Sequence, residues 1–152
     1  MERARAHEDG FALLELVAVL IILAVLLGIA FPAFMKQREQ ADDMATKLML
    51  TTAMRGEVFL LDEDGGYTAD ADALAGVFPE YDFSGAAAES IHLSVGDVEA
   101  GDRAKVMMYA RSETGAWLGI VLVLHGDAAG RHTCISESEL DMTIAACTGT
   151  AW

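Results

Sequence analysis

Basic residues are scarce in this 152-residue chain. Ten Lys and Arg stand against 24 Asp and Glu, a formal charge of −14. A surface this negative repels phosphate backbones, which argues against nucleic-acid binding through a basic patch. Two cysteines are too few for a disulfide scaffold or a four-thiolate zinc site. Two prolines and 14 glycines exclude collagen-like and proline-rich low-complexity chains. Neither a G-x-S-x-G elbow, a Walker loop nor a G-x-G-x-x-G turn occurs, so no catalytic constellation is present and an enzyme is not expected. The four histidines are His7, His92, His125 and His132. His125 and His132 flank a predicted hairpin turn and supply at best half of a zinc site.

What the chain does have is one long apolar run. Leu16 to Met35 is 20 residues without a charge. As a helix it spans about 30 Å, the thickness of a bilayer's hydrocarbon core. Before it lie a polar decapeptide, MERARAHEDG, and a lone carboxylate, Glu15, near the start of the run. A secretory signal peptide cut after the run does not fit, because the run is too long and leads into FPAFMKQRE rather than a small-residue site. An uncleaved signal anchor fits by length but leaves Glu15 and Pro32 without a role. The third reading is a leader cut before the run, between Gly10 and Phe11.

The segment GFALLELVAVLIILAVLLGIAFPAF resembles the N-terminus of type IV pilins and pseudopilins. Gly10 stands at the family's leader end, Phe11 at the first mature position and Glu15 at the fifth, and Gly28 and Pro32 match its helix-weakening positions. One departure is the acidic pair Glu8 and Asp9 before Gly10, where the family usually carries basic or neutral residues. The resemblance implies cleavage at Gly10–Phe11 by a prepilin peptidase and N-methylation of Phe11. It also implies a register role for Glu15, which would pair with the N-terminal amine of a neighbouring subunit. A separate assembly ATPase and a membrane platform protein would build the filament. Independently of the family, Pro32 cannot bond the carbonyl of residue 28, and Gly at 28 weakens that turn further.

Helical character continues from Lys36 to Leu61, interrupted only by Gly56. One apolar stripe is Ala41, Met44, Ala45, Leu48 and Phe59. A second is Leu50, Met54, Val58 and Leu61. Two apolar sides predict two packing partners, one of them the chain's own sheet. From Phe11 to Leu61 the helix would be about 75 Å long, more than a small globule can bury. The acidic and glycine run at 62–66 ends it, and a short helix is expected at Ala71 to Val77. Strands are expected at Ser90 to Val95, Lys105 to Arg111, Trp117 to His125 and Arg131 to Ile135, joined by short Gly- and Asp-bearing turns. The expected fold class is therefore α+β, type IV pilin-like, with a long N-terminal helix packed on an antiparallel sheet of about four strands.

The expected domains are a leader at 1–10, a transmembrane or filament-core helix at 11–35, its amphipathic continuation at 36–62, and a globular headpiece at 63–152. Cys134 and Cys147 lie in the part the membrane segment would place outside the cytoplasm, where disulfides persist. Bridging would contribute about 3 kcal/mol; two buried free thiols are the alternative. The resemblance implies the disulfide. Acidic clusters at 62–64, at Asp70 and Asp72, and at Glu137, Glu139 and Asp141 lack the spacing of a calcium loop. Cofactors are thus expected to be none, with calcium the one metal that some pseudopilins bind. The expected function is a structural subunit of a pilus-like extracellular filament, a homo-oligomer held in the cytoplasmic membrane as a precursor. A pseudopilin of a type II secretion or competence system is the alternative within the class. A single-pass anchored binding or sensor ectodomain is the alternative outside it.

Overall fold

The computed structural model describes residues 8–61, 66–87, 90–96, 103–150 and 152. Helix α1 spans Glu8–Phe59 and α2 spans Ala71–Val77. Four strands follow: β1 (His92–Val95), β2 (Lys105–Arg111), β3 (Trp117–Val123) and β4 (Gly130–Ser136), then a 3-10 turn at Glu139–Asp141. They form one antiparallel sheet in the order β1-β2-β3-β4. This is the expected α+β fold, a long apolar N-terminal helix followed by a four-stranded antiparallel sheet. The chain divides into two compact units, 1–39 and 40–152.

In the first unit α1 is apolar on every side from Leu16 to Met35. Each described side chain from Leu13 to Glu39 is exposed, and Leu14 and Ile29 reach 73 %. The helix continues through Pro32.

In the second unit α1 is two-sided. Thr46, Leu50, Ala53, Met54 and Glu57 are buried, a ridge at the 3.6-residue period. Ala41, Met44, Ala45, Leu48 and Phe59 are all exposed. The first predicted stripe thus faces outward and the second supplies the core, with one correction. Val58 is 58 % exposed, because the buried ridge passes through Glu57 instead. Gly56 permits close approach of α2: a Cβ there would stand 3.1 Å from the Phe78 ring and 3.2 Å from Leu74. Asp70 starts α2 by accepting from the backbone N–H groups of Asp72 and Ala73.

The sheet is covered on both faces. On its inner face Val106, Met108, Ala110, Leu118 and Ile120 pack with Leu50, Ala53 and Met54 of α1 and Leu74 of α2. On its outer face Met107, Val121 and Val123 pack under Met142 and Cys147. Double coverage explains why β3 reads WLGIVLV, nearly all apolar, rather than alternating.

Strand ends differ from expectation by a residue or two. β1 starts at His92 rather than Ser90, because Ile91 N–H donates to the Asp82 carbonyl and Ser90 turns back on Ala87. β3 stops at Val123 rather than His125, because β4 begins at Gly130, opposite Val123. α1 ends at Phe59, two residues before Leu61. The acidic triplet expected to stop it lies outside the described residues.

Candidate functional site

The predicted processing and assembly residues lie on the first turns of α1. Backbone helix is described from Glu8, so the Gly10–Phe11 peptide falls within it. Residues 1–7 and the side chains of residues 8–12 lie outside the described ones, and the calls on Gly10 and Phe11 rest there. Glu15 is exposed and has no ion-pair partner among the described residues. A Cβ on Gly28 would meet nothing within 4 Å. Contacts within this chain therefore do not require glycine at that position. Its effect is on the helix itself, together with Pro32 four residues later.

The far end of the chain is a covalent loop. Cys134 and Cys147 are joined, with Cα atoms 4.8 Å apart. The bridge lies on the outer face of the sheet, where Cys134 pairs across the ladder with Gly119. A Cβ at Gly119 would come within 2.7 Å of Cys134 Sγ and 2.9 Å of Met107 Cε. Glycine in the middle of a central strand is costly for the strand. Here it leaves the space the disulfide occupies. Gly149 extends this attachment, exchanging both backbone hydrogen bonds with Thr133 at the β4 edge.

Two acidic side chains of α1 tie the helix to the rest of the second unit. The Asp43 carboxylate accepts from the hydroxyls of Ser112 (2.6 Å) and Thr114 (2.7 Å) in the β2–β3 turn. The Ser112 hydroxyl, helped by Thr114 and Lys47, holds its pKa below the usual carboxylate range, although partial burial works against this. Glu57 is completely buried. Its Oε2 accepts the Thr68 N–H (3.0 Å), and its Oε1 has no hydrogen-bond partner. Burial pushes its pKa up to about 7, against the pull of the Thr68 N–H and the nearby Arg103 charge. Burial, with the Glu57 charge behind it, also raises the Tyr67 phenol. Neither role was read from the sequence. For Glu57 a signal existed, since it falls seven residues after Leu50 and four after Ala53, on the buried ridge.

Among the described residues the histidines do not converge. His132 Nε2 bonds the Ala128 carbonyl (2.7 Å) across the turn, and His125 is exposed. His92 stacks on Tyr109 (centroids 4.7 Å apart) with its Nδ1 3.5 Å from Glu139. Among the described acidic residues, Asp70 caps α2 and Asp141 accepts from Ser136. No group of three or more His, Cys, Asp or Glu among the described residues is placed to hold a metal. The triplet at 62–64 lies outside them.

Residues 5–31 match the family described as the prokaryotic N-terminal methylation motif. The match takes in Gly10, Phe11, Glu15 and Gly28. It is the leader of type IV pilins and pseudopilins, so the chain carries the processing signal of such precursors. The motif and the apolar helix after it fit a membrane-anchored precursor. No solved structure matches the chain.

Proposed function

We propose that this chain is a structural subunit of a type IV pilus-like extracellular filament. Its observation of greatest weight is the methylation motif at 5–31 running into a helix whose side chains from Leu13 to Met35 are all exposed. In a precursor these side chains face lipid. Residues 1–10 are the leader, removed by a prepilin peptidase, and Phe11 is then methylated and keeps its positive amine. Residues 11–35 leave the bilayer and pack against the same helix of other copies, with 36–62 continuing outward to the headpiece.

Lipid tails are as apolar as Leu or Val, so burial alone does not drive this exchange. Close packing between helices and pairing of charge supply it. Glu15 is costly in hydrocarbon unless paired. The Phe11 amine of a neighbouring copy is its natural counter-charge, and the pair fixes the stagger between subunits. Gly28 and Pro32 give the packed helix a place to bend. Extraction from lipid requires work, which an assembly ATPase acting through a membrane platform protein would provide.

Electron microscopy of sheared surface material, with mass spectrometry of its subunit, tests this. Filaments containing this chain are expected. Glu15→Ala is expected to insert in the membrane but to assemble poorly. Filaments of that variant at normal yield would remove the register role, and surface filaments lacking the chain would remove the function.

A further inference from the structure

We propose that the headpiece, before its bridge closes, holds one copper(I) ion between Cys134, Cys147 and Met142. The sulfur-bearing side chains of Met107, Cys134, Met142 and Cys147 come together on the outer face of the sheet. Met107, Met142 and Cys147 are buried there.

These sulfurs converge over Gly119. A Cβ at that position would stand 2.7 Å from Cys134 Sγ and 3.2 Å from Met142 Sδ. Cys147 Sγ lies 3.7 Å from the Gly119 carbonyl oxygen. Cys134 Sγ and Met142 Sδ are 3.8 Å apart. Metal–sulfur bonds of about 2.3 Å put two ligand sulfurs on one ion about 3.8 Å apart at the tetrahedral angle. With Cα atoms 4.8 Å apart, both cysteines reach the same ion.

The donors select the ion. Thiolate and thioether sulfur together favour Cu(I) over hard cations. Structural zinc takes four donors from thiolate, imidazole and carboxylate. Among the described residues no group of three or more His, Cys, Asp or Glu is placed to supply them. The chain is made with both cysteines as thiols. On binding, two S–Cu bonds replace two S–H bonds, both protons go to solvent, and no electron is transferred. Closing the bridge removes both thiolate ligands, so ion and disulfide exclude one another. The ion would hold the loop on the sheet where the bridge later holds it. This inference stands apart from the filament reading.

The test uses the full chain in lipid nanodiscs, reduced with dithiothreitol, freed of it without air and offered Cu(I) held by bicinchoninate. The reduced chain is expected to withdraw one equivalent and the bridged chain none. X-ray absorption at the copper edge should count three sulfur neighbours at about 2.3 Å. Met142→Leu should weaken binding about tenfold and lower that count to two. Met54→Leu, a change at a buried methionine of α1, should do neither. The buried Met54 and Met108 methyls, labelled for NMR, report whether the reduced chain is folded. No uptake by the reduced chain, equal uptake by the bridged one, or Met142→Leu binding as tightly as the parent would overturn the proposal. So would a reduced chain that has unfolded, since the site needs the sheet. Two sulfur neighbours in place of three would overturn it as well, and that count needs only the unaltered chain.

Discussion

The two halves of α1 both carry large apolar side chains, and these meet opposite fates. In the second unit, Leu50, Ala53 and Met54 are 0–3 % exposed, set into a core made by the chain's own strands. In the first, Leu14, Leu20, Leu23 and Leu27 are 48–73 % exposed. The leucines themselves are alike; the presence of a covering layer within the same chain separates them. A helix apolar on all sides is stable only where something else surrounds it. On the proposed reading that surrounding is lipid or other helices for residues 13–35, and this stretch should then be nearly neutral to headpiece stability.

The sharpest test of the contrast is a pair of identical truncations. Leu50→Ala should lower unfolding stability by about 2–5 kcal/mol, since it empties a fully buried site. Leu23→Ala should change it by less than about 0.5 kcal/mol. Urea unfolding of the membrane-reconstituted chain, followed by Trp117 and Trp152 fluorescence, reads both. Equal losses would mean that the two halves share one core.

The C-terminal loop sharpens the comparison from the other side, because it is the second layer the headpiece brings for itself. Replacing both Cys134 and Cys147 by Ser should cost about 3 kcal/mol, the cross-link value for a loop of this length. Gly119→Val should be harmful even with the bridge intact, since its Cβ would meet Cys134 Sγ at 2.7 Å. If the valine variant unfolds at the same urea concentration as the parent, that account of Gly119 is wrong.

Glu57 gives the headpiece a pH dependence. The folded chain holds this proton to about pH 7, whereas an unfolded glutamate releases it near 4.5. Between those values the folded state binds more protons, so stability is present in full below pH 4.5 and falls as pH rises through 7. A loss of about 2 kcal/mol from pH 5 to pH 8 is expected. Glu57→Gln, neutral at every pH, should flatten the curve. A parent curve already flat over that interval would contradict the buried-proton account.

The smallest effect belongs to Asp43. Asp43→Ala leaves the Ser112 and Thr114 hydroxyls without their acceptor and should cost about 1 kcal/mol. An unchanged urea midpoint would mean that this tie between α1 and the β2–β3 turn contributes nothing.

Much of the architecture was legible because it rests on local period. Lys105–Arg111 and Ala71–Val77 have the same bounds in sequence and structure, each being a strongly patterned segment between clear breakers. The two apolar stripes of α1 were visible for the same reason. What escaped depended on contacts between distant segments. The outer-face layer could not be seen in β3, since an unbroken apolar strand does not say what covers each side. The reason for Gly119 lies in Cys134, which only the strand ladder puts opposite it. Val58 sits on an apolar stripe by its chemistry, and Glu57 is charged, yet helical phase puts Glu57 inside and leaves Val58 exposed. Of the proposed assembly site, the motif was legible in the sequence, but the pairing proposed for Glu15 involves a second copy of the chain.

The central claim is that the first half of α1 is trimmed at its front and completed by neighbours outside the chain. The intact mass of the chain recovered from its native membranes tests this most directly. The account predicts a polypeptide beginning at Phe11 and carrying one additional methyl group. A full-length polypeptide that still begins at Met1 would contradict it.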